Sequence, residues 1–153
     1  MLTKRDLMYG SAAVIGTVLI YELWDDQQSG PEESRAEHNS GFSVAVPEEF
    51  QVRHPGGALI LSHPWANKWI EVQAGGSASG FQSWSTHLGP TRQTPAGSVP
   101  YRVQQNKDAP NIWELTAGLL YGRHTIFFKA SEESRDTQPG FAFAWQVIGS
   151  VRT

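Results

Sequence analysis

Apolar and polar positions along this 153-residue chain fall into three successive patterns. Residues 7–21 form an uncharged, mostly apolar run, residues 25–40 lack any large apolar side chain, and from Gly41 onward the apolar positions recur mainly with period two. In GFSVAVPEEFQV, Phe42, Val44 and Val46 alternate with Ser43 and Ala45, which predicts a half-buried strand ended by Pro47. Residues 50–53 begin a second extended piece, Pro55-Gly56-Gly57 breaks it, and ALILSH supplies a third. Trp69-Ile70-Glu71-Val72-Gln73 alternates again before Gly75-Gly76. Antiparallel strands joined by tight turns are implied.

The period then changes. Phe81, Trp84 and Leu88 stand at i, i+3 and i+7, Ser79 and Gln82 have the spacing of a capping box, and Gly89-Pro90 is a stop, so a short amphipathic helix is expected. Strands resume over 101–105, 112–117, 119–121 and 125–130, with turn chemistry at Asn106-Lys107-Asp108 and Gly122. QPGFAFAWQVIGSVR carries both periods, and Pro139 with the alanines at 142 and 144 favours a helix. The expected fold class is α+β: an antiparallel β-sheet flanked by one short and one C-terminal helix, forming one domain over 41–153.

The N-terminal run changes the setting of that domain. A spanning helix needs roughly 20 apolar residues, and this run reaches Trp24 if Glu22 lies at the membrane surface. Lys4 and Arg5 favour the cytoplasmic side, while Tyr21 and Trp24 fall where aromatic rings favour the interface. Glu22-Leu23-Trp24-Asp25-Asp26 offers no small-residue cleavage site and the first acceptable one, Ser34-Arg35-Ala36, lies well downstream, so residues 1–24 are read as a retained transmembrane signal-anchor in preference to the alternative, a cleaved signal peptide. Thr3-Lys4-Arg5-Asp6-Leu7-Met8 also resembles a twin-arginine signal, with Lys4 where the first arginine belongs. Gly10, Ala12, Ala13 and Gly16 give the anchor a small-residue stripe suited to packing against another membrane helix. The expected location is a bacterial inner membrane, with the C-terminal domain in the periplasm or otherwise outside the cytoplasm.

Charge supports this arrangement. Residues 25–40 hold five acids against one arginine, the composition of a flexible acidic linker. From Gly41 onward nine Lys/Arg face eight Asp/Glu, so no basic stripe exists to neutralise phosphates and nucleic acid is not an expected partner. The chain has no cysteine, which excludes disulfides, thiolate metal sites and cysteine nucleophiles.

Candidate chemistry is sparse. His38, His54, His63, His87 and His124 are scattered without metal-ligand spacing, and only His54 and His63, flanking PGGALILS, are placed for a hairpin to bring together. No G-x-S-x-G occurs, the glycine-rich stretch 75–80 lacks the lysine of a phosphate loop, and Glu132, Glu133 and Asp136 lack EF-hand spacing. No catalytic residue, metal or cofactor is therefore expected. Tryptophan remains: Trp84 and Trp145 suit the apolar faces of the two helices, whereas Trp65 and Trp69 bracket a polar turn with Lys68 between them, and Trp113 follows the loop NKDAPN. Aromatic side chains are enriched at protein contacts, so Trp65, Lys68, Trp69 and Trp113 are the candidate partner-binding residues.

The opening FSVAVPEEFQV and the closing QVIGSVR, with the order of strands, helix, strands and final helix between them, are similar to the PsbP-like and DcrB-like domains. That resemblance implies an α/β/α sandwich on an antiparallel sheet. It also implies a non-enzymatic job: assembly or accessory factor of a membrane complex, envelope protein, chaperone or immunity protein. Two functions follow as expectations, an accessory subunit binding a larger membrane protein complex and, alternatively, a periplasmic immunity-type inhibitor of a toxic effector enzyme.

Overall fold

The computed structural model describes residues 33–153 and, near the start of the chain, a short antiparallel pairing of β1 (Leu2–Thr3) with β2 (Arg5–Asp6). The rest of the expected anchor, including Gly10, Ala12, Ala13 and Gly16, lies outside the described residues. Among those described, no helix is long and apolar enough to cross a membrane.

Residues from Ser34 to Thr153 form one compact unit of α+β class. Its centre is a seven-stranded antiparallel sheet built from two meanders. The first is β5 (Gln51–Arg53), β6 (Leu59–Ser62) and β7 (Lys68–Ala74); the second is β8 (Thr91–Thr94), β9 (Gly97–Gln105), β10 (Ile112–Tyr121) and β11 (His124–Glu133). The helix α1 (Ala78–Ser85) joins them, and the sheet order β5-β6-β7-β11-β10-β9-β8 places the last strand beside β7. Apart from this set, β3 (Arg35–His38) and β4 (Phe42–Ala45) form a hairpin, and α2 (Ala142–Gly149) ends the fold.

Period-two alternation gives the sheet two different faces. Leu59, Leu61, Ile70, Val72, Leu115, Leu119, Ile126 and Phe128 are all almost fully buried, and α2 covers them with Phe143, Ala144, Val147 and Ile148. Each such side chain stabilises the fold by about 1.5–3 kcal/mol relative to exposure, so this face holds most of the core. The other face is polar along much of its length. Arg53, Ile60, Glu71, Lys129, Thr116 and Arg102 stand opposite one another across six strands. Among the described residues, α1 is the helix that packs there, through Phe81 and Trp84 against Phe127.

The β3–β4 hairpin joins the core through Ala36, Phe42 and Val44. Arg35 fastens it to the chain end, Nε donating to Ser43 Oγ at 2.9 Å and Nη2 to the Ser150 carbonyl at 2.6 Å. Ser150 Oγ accepts from the Ala45 N–H at 2.7 Å and donates to the Val147 carbonyl at 2.7 Å.

Four boundaries differ from the sequence reading. The acidic linker expected to reach residue 40 ends sooner, because Arg35–His38 is a strand whose inward residues, Ala36 and His38, are buried. β8 was not anticipated, since Thr91–Thr94 contains no apolar residue. Residues 112–121 form one strand, not two, with Gly118 inside it. The helix cap is Ser77, whose Oγ accepts from the Gly80 N–H at 3.0 Å, so Ser79 and Gln82 do not form a capping box.

Candidate partner-binding surface

Lys68, Glu132 and Trp113 occupy matched positions on β7, β11 and β10. Lys68 and Trp113 share the core-facing side of the sheet, since Lys68 keeps step with Ile70 and Val72, and Trp113 with Leu115 and Ala117. Trp113 is half-buried against the core. The Lys68 ammonium lies 6.0 Å from the Phe50 ring and 5.6 Å from the Phe143 ring, which places its stem over apolar surface. Trp69 is adjacent in sequence but projects to the opposite face, where it lines a shallow cavity with Arg53, Ile60, Ser62 and Glu71. The structure therefore brings Lys68 and Trp113 toward one end of one face and sends Trp69 to the other.

Trp65 stands apart. It is 81% exposed on the turn between β6 and β7, far more than any other large apolar residue described. Its backbone is held in place by His63, whose Nδ1 accepts from the Trp65 N–H at 3.1 Å and from the Ala66 N–H at 2.9 Å. With Nδ1 accepting, the proton of the neutral ring sits on Nε2, which donates to Glu49 Oε1 at 3.2 Å. Both ring nitrogens thus make hydrogen bonds within the fold. Glu49 itself has φ of 71°, a left-handed conformation uncommon for a residue with a side chain.

An unbroken line of rings runs from α2 to this turn. Phe141 and Phe143 are 6.3 Å apart, Phe143 and Phe50 5.4 Å, Phe50 and His63 5.5 Å, and His63 and Trp65 5.8 Å. Beside it, Trp65, Lys68, Glu132, Glu133 and Arg135 help line an open cleft of about 410 Å³. Within it Glu132 Oε1 is buried without a hydrogen-bond partner. Sequence reasoning missed Glu49, Phe50 and His63. The available signal was the His63-Pro64 step, a turn-forming pair directly before an aromatic residue.

The other sequence candidates are dispersed. His54 and His63 lie toward opposite ends of the β5–β6 hairpin, because His54 enters its turn and His63 follows its last paired residue. The hairpin does not bring these two together. Trp84 is half-buried between α1 and the sheet, 4.9 Å from Phe127, and Trp145 packs edge-on against Tyr101 at 5.1 Å under the Arg92 guanidinium. Among the described residues, no group of three or more His, Asp or Glu side chains is placed to hold a metal ion.

No protein-family model and no curated protein matches the chain. Its fold is similar to a crystal structure from Bacteroides thetaiotaomicron VPI-5482, with a TM-score of 0.51 and 15% sequence identity over 72% of this chain. The chain spans 44% of that neighbour's length. At such identity the likeness shows the fold alone.

Proposed function

We propose that this protein is a non-enzymatic, single-pass accessory subunit, anchored in the bacterial inner membrane by residues 1–24, whose domain docks outside the cytoplasm onto a larger membrane protein complex. The observation that carries this reading is Trp65, a large aromatic side chain left 81% exposed on a turn whose backbone His63 fixes. A rigid aromatic anchor contributes large contact area at small entropic cost, and truncating one buried at a contact typically costs about 2 kcal/mol or more. The uncharged N-terminal run and its small-residue stripe support a membrane partner. The sheet with helices on both faces suits the PsbP-like sandwich that the two terminal motifs suggest, and the work of such domains as accessory factors suits the same role.

The test is affinity purification of the full chain in mild detergent, with Trp65→Ala beside it. A co-purifying membrane complex that Trp65→Ala loses, while the variant stays folded, is the expected result. Recovery of the unaltered chain as a lone monomer refutes the subunit role. Replacing residues 1–24 by an unrelated anchor separates the alternatives: an accessory subunit loses function, whereas an immunity-type inhibitor keeps it.

A further inference from the structure

His38, His54 and His124 come from three separate places, the end of β3, the turn after β5 and the start of β11, and converge at the tip of the β3–β4 hairpin. Phe42 lies among them. The His38 ring stacks on Phe42 at 4.7 Å with planes 8° apart, and His124 meets the same ring at 5.5 Å and 62°. His54 approaches from the far side of the hairpin, its Nε2 3.3 Å from the Glu37 carbonyl oxygen.

His38 is only 5% exposed. Its Nδ1 accepts the Ser40 N–H at 3.1 Å, which leaves the proton of the neutral ring on Nε2. That nitrogen is buried and makes no hydrogen bond of ordinary geometry, although the Gly57 backbone is near enough to favour a proton there. The charged groups around His38 offer no compensation. β4 carries no titratable side chain, the 55–58 turn carries none, and β11 and the turn after β5 present His124 and His54. The adjoining Arg53 and Arg123 are exposed and positive, and Glu37, next along β3, points to the exposed side. Arg35, also on β3, is engaged with Ser43 and Ser150.

We propose that His38, seated beside His54 and His124, is a pH-sensitive latch, which holds the β3–β4 hairpin on the sheet while its ring is neutral and releases it when the ring is protonated. A second proton on the His38 ring must sit on Nδ1, so it breaks the bond from Ser40 and places a cation beside two further imidazoles with no carboxylate facing it. Burial, aided by His54 and His124 and opposed by the Gly57 backbone, holds His38 below its ordinary value of 6.5. In the opened hairpin it titrates near that ordinary value. The closed state therefore has its full stability above about pH 6.5, and this is lost as pH falls through the lower value of the folded state. The Arg152 N–H donates to the Ser43 carbonyl at 3.1 Å, so the C-terminal residues loosen with the hairpin.

The experiment is amide hydrogen exchange on the full chain at about pH 7.5 and about pH 5, corrected for intrinsic exchange, with an NMR titration of the histidine rings. Protection over 36–45 is expected to fall more than over 115–130, by a further factor of up to about thirty across this pH range. The His38→Phe variant, which keeps a stacked ring, is expected to retain hairpin protection at about pH 5. Parallel loss of protection in the two regions overturns the latch, as does a folded variant whose hairpin still loosens. Should that variant fail to fold, the unaltered chain decides: His38 titrating at or above its ordinary value refutes the proposal, and titration below it with selective hairpin opening sustains it.

Discussion

Gly118→Ala is the most direct test of how α1 sits on the sheet. Gly118 lies in mid-β10, and a Cβ built there would come within 2.5 Å of Phe81 Cε2 and 2.6 Å of Trp84 Cζ3, with Phe81 Cζ at 3.1 Å. Carbon atoms attract best at about 3.5–4.0 Å, so both rings must retreat by about 1 Å. Neither ring is a flexible chain end, and Phe81 is the buried residue of its helix. Overpacking of this kind costs about 1–3 kcal/mol, while removing a glycine from a strand interior returns about 0.5–1 kcal/mol. The clash wins across most of the two ranges, which set against each other give a net destabilisation of about 0–2.5 kcal/mol, centred on about 1 kcal/mol.

Urea unfolding followed by tryptophan fluorescence measures this as a lowered midpoint. A companion double variant sharpens it: Trp84→Ala opens room for the new methyl group, so Gly118→Ala in that background should cost markedly less than alone. Equal or greater stability of the single variant, or strict additivity in the pair, would show that α1 does not rest on Gly118.

Three further outcomes follow from particular contacts. Trp65→Ala is expected to change unfolding stability by no more than about 0.5 kcal/mol because the side chain is exposed, whereas Trp113→Ala, half-buried against the core, should cost about 2–3 kcal/mol; urea titrations of the two compare them directly. His63→Ala removes the acceptor for two backbone N–H groups, so the turn should lose amide protection and partner binding should weaken as with Trp65→Ala, measured by hydrogen exchange and detergent pull-down. Ser150→Ala leaves the buried Ala45 N–H without an acceptor, a loss of about 1–3 kcal/mol, while Ser150→Thr, which keeps the hydroxyl, should cost less in the same thermal or urea assay.

The strands that were legible in the sequence are those whose inward positions hold large apolar residues. Ile70 and Val72 on β7, or Ile126 and Phe128 on β11, leave the alternation unmistakable. β3 was hidden because its inward positions are Ala36 and His38, one small and one polar, inside a stretch whose acids argue for solvent. β8 was hidden for another reason: it is an edge strand held by pairing to β9 and by Thr94 Oγ1, which accepts from the Ala96 and Gly97 N–H groups, so it needs no apolar residue. Gly118 looked like a break in a strand, but its missing side chain serves the close approach of Phe81 and Trp84. The candidate surface was half legible. Exposure of Trp65 follows from its polar turn, but Lys68 and Trp69 fall on opposite faces because adjacent strand residues must, and the His63-Pro64 step marks the turn without showing which groups the His63 ring bonds.

The left-handed residues tie the Trp65 turn to the rest of the fold. Among the described residues, only Glu49 and Phe141 adopt positive φ without being glycine, at 71° and 54°. Such a conformation costs on the order of 1–3 kcal/mol and persists only where the surroundings over-determine it. Phe141 is held by burial, at 1% exposure, where it opens α2 without a side-chain cap. Glu49 is exposed and has no such packing, so the contact from His63 is what rewards its conformation. Phe141 begins the line of rings that ends at Trp65, and Glu49 contacts that line at His63. The His63–Glu49 contact therefore helps to hold the backbone on which Trp65 is displayed. The histidine cluster at the hairpin tip lacks any carboxylate partner. The two histidine environments are thus built differently, a carboxylate facing the ring at His63 and further imidazoles at His38.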